Sequence, residues 1–145
     1  MEHNVKKEVS FIVHGKPVGK GRPRFTRVGH TYTPQATKDY ERKVSVAAFA
    51  AMVEANVTTT DRPVVAKIEA HFPIPVSWSK KRQLEAHLGG TFPSKPDIDN
   101  IVKAALDGCN GIVYDDDAQV HHLTCLKRYA EIGSEGYLSV SISWT

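Results

Sequence analysis

Strict alternation at three separated places constrains this chain most. Val9, Phe11 and Val13 alternate with Ser10, Ile12 and His14. Val64, Ala66, Ile68, Ala70 and Phe72 alternate with Val65, Lys67, Glu69 and His71. Leu138, Val140, Ile142 and Trp144 alternate with serines. A period of two turns successive side chains to opposite faces of an extended backbone, so each run predicts a strand with one apolar face. Gly15 ends the first strand, and Pro73 and Pro75 stop the second. A further strand is expected over residues 119–129.

Between the strands the period changes. Tyr40, Val44, Ala47, Ala48, Ala51 and Met52 recur at helical spacing, which predicts a helix over residues 37–55 with Thr37 as its N-cap. Residues 77–88, followed by Gly89 and Gly90, predict a short polar helix with a glycine C-cap. Ile98, Ile101, Val102, Ala105, Leu106 and Cys109 predict an amphipathic helix starting at Asp97 and ended by Asn110 and Gly111, with Asp99, Lys103 and Asp107 along its polar stripe. The order β, α, β, α, α, β, β suggests an α+β fold with helices packed on a mixed β-sheet. At 145 residues, one domain over 1–145 is expected, with a core large enough to need no covalent staple.

Several classes are disfavoured. Cys109 and Cys125 sit among apolar neighbours without metal-ligand spacing, which argues for reduced, buried thiols rather than a disulfide or zinc site. The opening MEHNVKKEV has no apolar leader, and no run approaches the roughly 18 apolar residues of a membrane span, so a soluble cytoplasmic protein with no membrane partner is expected. GKPVGKG lacks the four-residue gap and the Ser/Thr of a phosphate loop, so no nucleotide cofactor is expected there.

Charge is segregated. Residues 1–43 hold ten Lys/Arg against four Asp/Glu, whereas residues 95–117 hold two against six, within a net charge of +3. A basic flank beside an acidic centre suits an enzyme that attracts a polyanion and needs a cation at its carboxylates.

The acidic segment, residues 95–120, reads KPDIDNIVKAALDGCNGIVYDDDAQV. Asp97 and Asp99 have a bland explanation as helix N-terminal carboxylates stabilised by free N–H groups. Two of them plus Asn100 exceed what a cap requires. Lys103, four residues after Asp99, has a bland explanation as an exposed i, i+4 pair, and Asp115, Asp116 and Asp117 have one as a solvated turn. Together they suggest more. If the turn carries Asp117 back over the helix N-terminus, three carboxylates and an ammonium meet around a space for a hard cation. Mg²⁺ takes few protein carboxylates, several waters and substrate phosphate. Such a cation polarises a phosphoryl oxygen and acidifies a bound water, while Lys103 stabilises charge on phosphorus or orients the nucleophile.

The run KPDIDN, then Lys103, then LDGCNG and DDAQV, resembles the RusA family of Holliday-junction resolvases over about 35 residues. Carried over by motif, the resemblance implies Asp97, Asp99 and Asp117 as metal ligands, Lys103 as the catalytic lysine, and supporting roles for Asp107 and Asp116. Between Asp107 and Asp117 the spacing departs from the family pattern by one residue, Asp115, which leaves Asp116 and Asp117 as alternative main ligands; the DDAQV register favours Asp117. The resemblance further implies a homodimer, bacterial or phage-encoded, that uses Mg²⁺ (or Mn²⁺) to resolve a four-way DNA junction by paired symmetric nicks. Two alternatives stand beside it: a structure-selective nuclease for forks or flaps, and a non-catalytic junction-binding protein.

The loop over residues 15–33 supplies a candidate DNA-contacting arm, with Lys16, Lys20, Arg22, Arg24 and Arg27 interleaved with Phe25 and Tyr32. Cations neutralise phosphates and an aromatic ring stacks on an unpaired base; the plain alternative is a solvated basic loop. Lys80, Lys81 and Arg82 form a weaker second candidate. His121 and His122 are adjacent on a strand and face opposite ways, so they cannot chelate one ion together.

Overall fold

The computed structural model describes residues 5–145; the start of the segment read as lacking a leader lies outside the described residues. A mixed four-stranded sheet is built from β1 (Lys7–His14), β4 (Val64–Phe72), β5 (Val120–Tyr129) and β6 (Tyr137–Trp144), in the order β1-β6-β4-β5. β6 runs antiparallel to both β1 and β4, and β5 runs parallel to β4. A parallel neighbour cannot be reached by a hairpin. The crossover from β4 to β5 is the long segment that carries α2 (Lys80–His87), α3 (Ile98–Cys109) and a 3₁₀ turn at Asp117–Gln119.

The alternation works as expected on one side. Val9, Phe11, Val13, the even-numbered residues of β4, and Leu138, Val140, Ile142 and Trp144 are buried against α1 (Gln35–Ala55) and α3. The opposite side is uncovered over much of its area. Ser10 bonds Ser141 there through their hydroxyls at 2.7 Å, beside Lys67, Glu69 and Thr124. β5 is an edge strand and stays largely exposed.

Three boundaries differ from the sequence reading. α1 starts at Gln35 with Pro34 as its N-cap residue; Thr37 is buried inside the first turn, where its Oγ1 accepts the Gly21 N–H at 2.9 Å. α2 starts at Lys80 because Ser79 caps it, its hydroxyl accepting the Arg82 N–H at 3.2 Å. Gln119, expected to open the strand, closes a 3₁₀ turn over Asp117–Gln119 instead, and β5 begins at Val120.

The helices cross closely at Gly108. A Cβ there would lie 2.5 Å from Val44 Cγ1 and 3.1 Å from the Glu41 carbonyl oxygen, so only glycine allows this approach. Cys109, next in α3, is fully buried, and burial pushes its thiol up to about 12, which keeps it protonated and inert. Among the described residues no helix is long and apolar enough to cross a membrane.

Candidate active site

Asp97 is the N-cap residue of α3, yet its carboxylate makes no capping hydrogen bond. It is half exposed and lies 3.2 Å from the Lys95 ammonium. Asp99, in the first turn, accepts only the Asn100 N–H at 3.0 Å and is exposed. The bland capping explanation therefore does not account for the pair. Both carboxylates stand at the mouth of the helix N-terminus, where its positive end favours negative charge.

The segment before α3 is held from two sides. Lys127, on β5, donates to the Ser94 and Pro96 carbonyls at 3.2 and 3.0 Å. On the other side the basic loop docks through the Lys20 N–H to the Asn100 carbonyl at 2.8 Å, and Gly19 passes so near Pro96 that a Cβ would lie 2.8 Å from its ring. A cleft of about 610 Å³ results, lined by Lys16, Arg22, Lys95, Asp97 and Asn100 among others.

Tyr114 fixes the acidic turn. It is fully buried beneath α3, and its hydroxyl donates to the Leu106 carbonyl at 2.7 Å. The Gln119 side-chain amide donates to the Thr60 and Arg62 carbonyls, both at 2.9 Å. The three aspartates then separate by role. Asp115 points to a different depression, beside Thr60, Asp61 and Arg62. Asp116 caps the 3₁₀ turn, accepting the Ala118 N–H at 2.9 Å while the Gln119 side chain accepts its own N–H. Asp117 faces α3, with a carboxylate oxygen 3.6 Å from the Lys103 ammonium.

Lys103 does not pair with Asp99. It donates to Asp107 at 3.3 Å, one turn further along α3. Asp107 is the most enclosed acid of the site, and its other oxygen accepts from Lys20 at 2.9 Å; Lys20 in turn donates to Glu41 of α1 at 2.8 Å. Burial pushes the Asp107 carboxyl up, but the hydrogen bonds and charges of Lys20 and Lys103 outweigh it and hold it below the ordinary carboxylate value. The hydrogen bond and charge of Asp107 raise the Lys103 ammonium above its ordinary value. Lys20 is thus engaged inside the site, unlike Lys16, Arg22, Arg24 and Arg27, which are exposed.

The expected meeting of three carboxylates is not found within one chain: among the described residues, no group of three or more His, Cys, Asp or Glu lies close enough to hold a metal ion. The reason is axial. Asp117 lies over Lys103, a full turn beyond Asp99, which at 1.5 Å per residue is about 6 Å along the helix. The donor chemistry nonetheless fits Mg²⁺, which accepts one or two exposed carboxylates and completes its shell with water and phosphate. Asp97 and Asp99 present hard oxygen donors of that kind, with no His or Cys among them.

The arm itself is a small hairpin, β2 (Arg24–Phe25) paired with β3 (Thr31–Tyr32). It holds Phe25 and Val28 out to solvent, each about three-quarters exposed.

A family model described as Endodeoxyribonuclease RusA matches residues 14–140, nearly the whole chain. The chain belongs to the RusA family. A relative in Bacillus subtilis (strain 168), the protein YqaN, is 37% identical over 129 residues, covering 85% of this chain and 89% of its own length. Among solved structures, a cyanuric acid hydrolase from A. caulinodans is 16% identical with a TM-score of 0.38, and this RusA-family chain spans 41% of its length. The RusA match takes in the basic loop, α3 and the acidic turn together.

Sequence reasoning missed Glu41, Tyr114 and Lys127. Tyr114 had a signal, since an aromatic directly before three aspartates and after Ile112 and Val113 marks the last buried residue before a turn. Glu41 and Lys127 had none, because Glu41 acts across 21 residues of sequence and Lys127 across 33 and 31.

Proposed function

We propose that this chain is a Mg²⁺-dependent endodeoxyribonuclease that resolves Holliday junctions by paired symmetric nicks, acting as a homodimer. The observation that carries the reading is the set of acids that serve no structural purpose at the α3 N-terminus: Asp97 caps nothing, Asp99 holds one adjacent N–H, and Lys103 with Asp117 lies one turn away. Asp97 and Asp99 would hold the ion directly, and Asp117, a turn further along α3, would complete the acidic set around it. When bound, Mg²⁺ supplies charge for a phosphoryl oxygen and acidifies a water. Lys103, half exposed and protonated, is placed to meet negative charge growing on the scissile phosphate. Lys16 and Arg22 border the cleft, and Arg24 and Arg27 extend the positive strip along the hairpin, where a duplex arm would lie. Phe25 and Tyr32 offer ring faces to a base unpaired at a branch point. A four-way junction is two-fold symmetric, so two equivalent nicks are made most simply by two copies of one site.

The test is cleavage of an end-labelled four-way junction beside linear duplex, forks and flaps, in Mg²⁺, Mn²⁺ and EDTA, with the native chain and Asp99→Asn. Symmetric, metal-dependent nicks confined to the junction and lost in Asp99→Asn, with binding retained, are expected. Equal cutting of forks or flaps would make it a broader structure-selective nuclease. Binding without cutting in either metal would make it a junction-binding protein.

A further inference from the structure

We propose that Lys20 is a positioning residue of the active site, holding Asp107 so that Lys103 stays available to DNA, and that it makes no phosphate contact of its own. The inference rests on the nuclease reading above. Five side chains from four parts of the fold alternate in sign: Glu41 on α1, Lys20 on the basic loop, Asp107 and Lys103 on α3, and Asp117 at the 3₁₀ turn. Successive separations are 2.8, 2.9, 3.3 and 3.6 Å. The spacing lengthens steadily from Glu41 toward Asp117. Glu41, Lys20 and Asp107 are the enclosed members, with side chains 22%, 23% and 15% exposed, while Lys103 is 57% exposed.

An ammonium has three donors, and two of those on Lys20 are taken by carboxylates on separate helices. Its backbone is also tied, to the Asn100 carbonyl, and the close pass of Gly19 over Pro96 keeps it there. Reaching a phosphate would strand the partly enclosed Glu41 without its counter-ion and leave Asp107 with Lys103 alone. Arg22, Arg24 and Arg27 meet no such cost.

The effect on Lys103 follows from Asp107 having two oxygens. Lys20 takes one, and Lys103 shares only the other, at the longer distance. Without Lys20, Asp107 would turn its full charge on Lys103 and draw it down the helix, away from Asp117 and from the mouth of the site. Lys20 divides the attraction of Asp107 and so leaves Lys103 on a single long hydrogen bond to it, within reach of Asp117.

The test compares Lys20→Met, Lys20→Arg, Asp107→Asn, the Lys20→Met/Asp107→Asn double variant and Arg24→Met. Junction affinity is titrated against salt in EDTA, and single-turnover cleavage is followed at saturating protein in Mg²⁺. Arg24→Met should reduce the log-log salt slope by about 0.9, the value of one lost phosphate contact. Lys20→Met should leave that slope unchanged while slowing cleavage by on the order of tenfold to a hundredfold. Lys20→Arg should recover much of the rate, since a guanidinium can bridge two carboxylates. The double variant should be no slower than Asp107→Asn alone, because Lys20 acts only through that carboxylate. A fall of about 0.9 in the slope for Lys20→Met, or an unchanged cleavage rate, overturns the proposal while leaving the nuclease reading intact. If the native chain cuts nothing, the nuclease reading and the positioning role fail together. The salt slope still decides on its own whether Lys20 touches phosphate.

Discussion

Asp107 is the residue on which burial and charge pull hardest in opposite directions. Enclosure alone would favour its neutral acid, yet two ammonium groups, Lys20 and Lys103, hold its carboxyl below the ordinary value, and Lys20 also carries Glu41. The sign of the linkage follows. A native carboxyl value lower than the unfolded one, about 3.9, means stabilisation that is complete above that value and is lost as pH falls through the native one. Asp107→Asn should therefore unfold about 1.5–3 kcal/mol more easily than the native chain at pH 7, the range for hydrogen bonds to charged groups. The gap should close as acid is added below about pH 4, as urea unfolding of the two proteins across that range would read. A gap that held constant into acid would remove the ion-pair explanation. The residue scale was also the least legible in sequence. Asp97, Asp99, Lys103 and Asp107 stand out because helical periodicity puts a polar stripe on an apolar helix. The engagement of Lys20 with Glu41 and Asp107 joins places 21 and 87 residues apart and leaves no local trace.

At the scale of elements, the crossing of α1 and α3 sets the site's dimensions. Gly108 lets the two helices touch at Val44, one turn from Glu41 and adjacent to Asp107, so the separation of the two acids clamped by Lys20 is fixed by the core beneath them. Gly108→Ala is expected to destabilise by about 1–3 kcal/mol, the usual cost of overpacking a filled core, because Val44 is fully buried and cannot move aside. Cleavage should fall as well, since the helices must separate where Lys20 spans them. Thermal unfolding and single-turnover cleavage of the same variant check both parts, and an unchanged melting temperature would show that the crossing relaxes without cost. The elements themselves were readable. Alternation located β1, β4 and β6, and periodicity located α3, because each buries one face against a common core. Their ends were less so: Thr37 looked like a cap but serves the basic loop, and Pro34 with Gln35 begins the helix instead.

For the whole molecule, the segregation of charge along the sequence becomes a juxtaposition in space, with the basic loop docked against the N-terminus of the acidic helix. Only the fold reveals that this contact divides the cations into an inner one, Lys20, and an outer set on the hairpin. The sheet order was not readable, since β1 pairs with β6 at the other end of the chain, and that choice rests on packing rather than on local pattern. A functional homodimer predicts a sedimentation coefficient for the dimer at micromolar concentration without DNA; a monomer under those conditions would mean that any pairing happens only on the junction.

The uncovered face of the sheet has a practical use. Ser10 lies exposed on β1, the edge strand opposite β5 and therefore remote from α3. The native cysteines compete poorly for a thiol reagent, as burial keeps Cys109 protonated up to about 12 and Cys125 up to about 11. A Ser10→Cys variant thus gives one reactive handle for a dye or a surface tether, through which individual molecules can be watched on DNA without a label beside α3.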